Sequence, residues 1–182
     1  MRLVWVSTAE DLNFLKSEKR LKVIYNFDVL RKSEGFKNDG PSFYDSLQIA
    51  FQTNFNKVSN KKFFINENLQ NDSCNYILKV TFVKFELFEA NYSATPSQNG
   101  YPGSRACSSE YVKGYYMIYI INSKTGEIIC SFSLSNLTNK YPIRSSCSRS
   151  KKYSQNINVE LNRSMFRAGT ETAKYMLKLR KK

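Results

Sequence analysis

Histidine does not occur anywhere in the 182 residues. Its absence removes Ser-His and Cys-His nucleophilic pairs, HExxH metalloprotease chemistry and most zinc sites, and it does so by count rather than by pattern. Glycine is scarce, with seven in the chain, and neither GxxxxGK(S/T) nor GxGxxG appears, so no phosphate-cradling loop can be read. The four cysteines form no CxxC pair, which supports neither a thioredoxin-type motif nor a zinc ribbon. No run of about 18 apolar residues exists that would read as a membrane-spanning helix. Met1–Trp5 is too short for a basic and apolar export signal. The expected compartment is the cytoplasm if Met1 is the native start, and the periplasm or outer membrane if a signal has been removed.

What the chain has in quantity is aromatic residues and positive charge. A composition of 41% hydrophobic and 14% aromatic residues is that of a packed chain rather than a disordered one, and the length fits a single domain over residues 1–182. Lys and Arg number 28 against 15 Asp and Glu, a net charge of +13. Between Lys140 and Lys182 stand twelve basic residues and only two acids, Glu160 and Glu171. Such a bias favours an anionic partner. A solvated helix face, with cations at the C-terminal end of the helix dipole, explains much of the same pattern.

Residues Leu21–Asp28 alternate, with Val23, Tyr25 and Phe27 on one face, and read as a half-buried strand. After a loop containing Gly35 and Gly40, Ser42 is placed to cap a helix over Pro41–Val58, with Asp45 completing an imperfect capping box. Its stripe is Phe43, Leu47, Ala50, Phe51, Phe55 and Val58. Phe63–Ile65 reads as a short strand and Cys74–Phe88 as a long one. The apolar parity of Cys74–Phe88 switches from even to odd between Phe82 and Val83, as a β-bulge or bend requires.

Tyr111–Asn136 forms a hairpin turning at Ser123–Gly126, with Gly126 suited to a positive φ. Asn122 opposite Glu127 pairs Tyr119 with Cys130, Met117 with Phe132 and Tyr115 with Leu134. Its first strand is apolar on both faces and belongs at the centre of the sheet, while its second turns wet at Ser131, Ser133 and Ser135. Val159–Leu179 reads as a closing helix in which Gly169 and Ala173 allow close approach to the sheet. The fold class is therefore α+β, a mixed and mainly antiparallel sheet of four to five strands with two helices packed on one face.

Two polar stretches, 90–110 and 138–156, read as long loops. They carry the candidate binding surface, Arg105, Arg144, Arg149, Lys151 and Lys152. They also carry Cys107 and Cys147, which the hairpin register brings to the same end of the molecule. These two form either a disulfide, which implies an oxidising compartment, or two free thiols. Cys130 falls on an apolar face as a buried thiol. The aromatic supply beside a basic surface permits stacking on single-stranded nucleic acid, and Lys113-Gly114-Tyr115-Tyr116 is a faint echo of an RNA-binding strand. Glu86, Glu89 and Asp28 at strand ends are the remaining carboxylates around which an enzyme would have to be built.

Asp11–Asp28 (DLNFLKSEKRLKVIYNFD) and Arg167–Lys182 (RAGTETAKYMLKLRKK) resemble the ends of small exported Bacteroidetes proteins of unknown function. The layout of strands between them is similar to that of envelope proteins such as the activator LpoB and the secretion protein CsgG. The resemblance implies a non-enzymatic accessory or interaction protein of the bacterial cell envelope, without cofactor, whose partner is a protein or an anionic envelope component. Nucleic acid stands as the alternative partner.

Overall fold

The computed structural model describes residues 4–6, 16, 19–32, 40–69, 74–94, 105–137, 144–145 and 157–180. In chain order the elements are β1 (Val4–Val6), β2 (Arg20–Asn26), α1 (Asp28–Lys32), α2 (Pro41–Ser59), β3 (Phe64–Asn66), β4 (Tyr76–Ala94), β5 (Arg105–Asn122), β6 (Ile128–Leu137), β7 (Arg144–Ser145) and α3 (Ile157–Leu179). The strands form one sheet in the order β1-β6-β5-β4-β2-β3, with β7 also pairing to β5. Among the described residues, only the β2–β3 and β2–β4 pairs are parallel. The α+β mixed sheet is thus as expected. Its four long strands are joined by three of two or three residues each, and β1, β7 and the single-turn α1 carry too little periodicity to be read from sequence.

One face of the sheet supplies the core. Leu21 and Val23, Leu78, Val80 and Phe82, Ile118 and Ile120, and Phe132 and Leu134 are all buried. They pack beneath Leu47, Phe51 and Phe55 of α2 and Leu161, Met165, Ala168 and Met176 of α3. Truncating any one of the fully buried phenylalanines would cost about 3–5 kcal/mol. β5 is interior, between β4 and β6, as its composition predicts. Helices cover only its even face; Met117 and Tyr119 on the other face are half-buried.

The hairpin register differs from the expected one by a residue. Ile120 pairs with Cys130, Ile118 with Phe132 and Tyr116 with Leu134, because an irregularity between Ile120 and Ile121 absorbs one residue. The consecutive apolar residues Ile128, Ile129 and Cys130 hide it from any parity argument. Cys130 is buried, and burial raises its thiol pKa. Gly126 adopts φ +73°. The shift between Phe82 and Lys84 is the bulge that the parity change at Val83 predicts.

Two local expectations are corrected. Gly40, not Ser42, is the N-cap of α2, with Pro41 in its first turn and no side-chain cap; proline fits there because that N–H has no helical acceptor. Gly169 faces the other helix rather than the sheet. A Cβ built on it would lie 3.0 Å from the carbonyl carbon of Phe51 and 3.1 Å from its Cα.

Candidate binding arm

β4 pairs with β2 as far as Thr81. Beyond the bulge, among the described residues, it pairs only with β5, from Lys84↔Tyr115 to Ala94↔Arg105. This arm runs roughly 35 Å at about 3.3 Å per residue; β6 also pairs with β5 at its base, at Lys113, Gly114 and Tyr115, and β7 pairs with β5 at Ser109 and Glu110. Of the 90–110 stretch, expected as a loop, residues 90–94 and 105–110 are therefore strand, and 95–104 fall outside the described residues. A ribbon paired through its backbone needs no apolar alternation, so its polar composition read as loop.

The base of the arm holds a cluster of charge and aromatic surface. Tyr115 donates its hydroxyl hydrogen to Glu86 Oε2 at 2.6 Å, and Lys84 Nζ donates to Glu86 Oε1 at 2.5 Å. The Lys84 and Lys113 ammonium groups stand 4.8 and 4.9 Å from the centre of the Tyr115 ring, within cation–π range. The hydrogen bond from Lys84, then that from Tyr115, lowers the Glu86 pKa, and the bond to Glu86 raises that of Lys84. Beside the cluster is a cavity of about 310 Å³ lined in part by Val83, Tyr115, Met117, Ser133 and Ser135. With two lysines and one carboxylate around a tyrosine, the cluster is cationic and aromatic.

Behind it, on the core side, Tyr116 donates to Ser164 Oγ at 2.6 Å. This is why residue 114 is glycine: a Cβ there would lie 2.6 Å from both the Ser164 and the Tyr116 oxygen. The Lys113-Gly114-Tyr115-Tyr116 segment therefore has a packing role, separate from any likeness to an RNA-binding strand.

Of the residues expected to bind, Arg105 begins β5 at the far part of the arm. Arg144 lies in β7, which pairs Glu110↔Arg144 and Ser109↔Ser145 on the same strand. The fold thus brings these two, 39 positions apart in sequence, to one arm. Cys107 lies on β5 opposite Tyr92 of β4. Arg149, Lys151, Lys152 and Cys147 fall outside the described residues. The cluster at the arm's base was missed from sequence; the signal available was the Phe82/Val83 parity change, which puts Lys84 and Glu86 on the same face as Tyr115.

Among the described residues no group of three His, Cys, Asp or Glu side chains is placed to hold a metal, and no helix is long and apolar enough to cross a membrane.

Sheet, helices and arm define the class: a mixed α+β sheet with one face under two helices and a long hairpin extending from it. No family model matches the chain, and no curated protein matches it. Among solved structures it is similar to a Helicobacter pylori protein described as a neuraminyllactose-binding hemagglutinin homologue, at 14% identity and TM-score 0.48, covering 98% of this chain and 96% of that one. A Xanthomonas campestris protein of the DUF330 family is similar at 12% identity and TM-score 0.49, over 88% and 84% of the two chains. A minor lipoprotein from Acinetobacter baumannii is similar at 8% identity and TM-score 0.38, over 86% and 90%. These likenesses concern layout alone, and no residue role is carried across.

Proposed function

We propose that the chain is a non-enzymatic accessory or interaction protein of the bacterial cell envelope that engages its partner through the β4–β5 arm. The observation that supports this reading is the convergence on one arm of Arg105 and Arg144, the two described members of the basic surface marked out in sequence. The envelope assignment rests on the resemblance of the two ends of the chain to exported Bacteroidetes proteins and of its middle to LpoB and CsgG. The partner is a protein or an anionic envelope component.

A photo-crosslinking residue at position 105 of the full chain, expressed in its native host, tests the reading. A specific adduct from position 105, and none from position 124 in the turn at the other end of β5, is expected. Equal adducts from both, or none from 105, would overturn it.

Nucleic-acid binding through the basic C-terminal region is the second reading. In α3, Arg163 is paired with Glu160 and Lys174 with Glu171. Arg180 donates to the carbonyl oxygens of Lys62 and Lys16 and lies 5.4 Å from the centre of the Phe63 ring. Part of that charge therefore serves the fold. Retention on an oligonucleotide column that falls steeply with salt would restore this reading.

A further inference from the structure

The two helices present a second surface, on the side away from the sheet. They touch closely at Gly169 and the Phe51 backbone. They are tied again where Asn162 Nδ2 donates to Ser46 Oγ at 2.7 Å. Between these points α2 offers only Ala50, and the gap is a cleft of about 440 Å³ lined by Ala50, Val159, Asn162, Arg163, Phe166 and Arg167.

Its apolar residues are unusually open to solvent. Phe166 is 50% exposed and Val159 39%, and Ile49, next to Ala50 on α2, is 64% exposed. Val159, Asn162, Arg163 and Phe166 follow one another at i, i+3, i+4 and i+7 on α3, apolar at the two ends of the row and polar between. Apolar surface gathered in this way marks an interaction site more often than scattered exposure does.

We infer that this cleft is a docking groove for an acidic amphipathic helix of a partner protein. Charge selects the occupant. Two exposed arginines line the groove and no carboxylate does. Glu160, the nearest acid on α3, is buried, with one oxygen bonded to Arg163 Nη1. The guanidinium fork carries five donors, so that bond leaves Arg163 able to meet a second carboxylate. Shape selects it too. A concave cleft with a small residue at its floor accepts the knobs of a helix, two or three apolar side chains at i, i+3 and i+7, whereas a bilayer surface offers no knob.

The test uses the full chain and two dye-labelled amphipathic helical peptides with the same leucine stripe, one flanked by glutamates and one by lysines, read by fluorescence anisotropy. The acidic peptide should bind and the basic one should not. Phe166→Asp and Arg167→Glu should each weaken binding at least tenfold, with circular dichroism checking that both variants keep the fold. No binding, equal binding of the basic peptide, or binding indifferent to Phe166→Asp would each overturn the inference. So would a dimer in sedimentation that Phe166→Asp dissociates, which assigns the groove to a second copy. Capture by anionic phospholipid vesicles that is lost in the same variant would assign it to a membrane, with the same consequence. The arm takes no part in any of these readouts, so this groove and the arm stand or fall separately.

Discussion

Replacing Gly169 by alanine sets two effects against each other. In an unobstructed helix interior the change stabilises by about 1 kcal/mol, because alanine restricts the unfolded backbone and favours helix. Here the added methyl would sit 3.0 Å from the Phe51 carbonyl carbon and closer still to its oxygen. Overpacking of this kind costs about 1–3 kcal/mol, and the upper end applies because the obstruction is backbone in the middle of a 19-residue helix and cannot rotate away. The net expectation is a loss of about 1–2 kcal/mol, or a melting point lower by about 2–8 °C for a chain of this size. Urea denaturation should show a lower midpoint at unchanged slope. Adding Phe51→Ala should bring no relief, since the contact is with the main chain and not the ring. A Gly169→Ala protein as stable as the parent, or more so, would refute the close crossing of α2 and α3.

Tyr116→Phe should cost about 1–2 kcal/mol by removing a buried hydrogen bond. Gly114→Ala should cost less in that background than alone, because one of the two obstructing oxygens is gone; additive losses would argue against the geometry. Deleting Val83 should leave a folded protein by circular dichroism, because Lys84↔Tyr115 then follows Phe82↔Tyr116 without a gap; loss of the fold would argue against the bulge. Burial holds the phenols of Tyr25 and Tyr116 protonated well above their ordinary range and pushes Tyr175 up to about 12. Unfolded tyrosines ionise near pH 10, so the unfolded state loses these protons first. The stability they contribute is complete below about pH 10 and is lost as pH rises through 12. Urea midpoints across that range should fall, and a flat profile would contradict it. A Cys107–Cys147 disulfide would leave two alkylatable thiols, Cys74 and Cys130, after unfolding without reductant; four would rule out the bridge and leave Cys107 and Cys147 as free thiols.

The features most legible in sequence were those in which one residue type has one conformational use. Gly126 at its turn, the parity change at Val83 and the inward Cys130 follow from local rules alone. The core stripes of α2 and α3 follow from helical period, since both are long enough to show it. The hairpin slipped by one residue because three successive apolar side chains, Ile128 to Cys130, fit either face. The arm was read as loop because its polar residues pair through the backbone, which leaves no hydropathic trace. Gly169 could be marked as a point of close approach, but spacing alone does not say whether a sheet or a helix approaches. Arg105 and Arg144 were singled out by charge; that they share an arm depends on β7, a strand of two residues with no period to detect.

The order in which the elements meet has a consequence for how the protein is made. The parallel pairing of β2 with β4 joins residues 55 positions apart, as in Lys22↔Ile77. The Ser46–Asn162 tie spans 116 positions and Arg180 reaches back 164 to the Lys16 carbonyl. Closure of such distant contacts slows folding, because chain entropy is lost before the contacts form. Until α3 has emerged, Phe51 and Phe55 lack their cover and the sheet is bare over β5 and β6. A chain delivered from its N-terminus, by a ribosome or through a pore, therefore stays open until α3 arrives, and then closes with it.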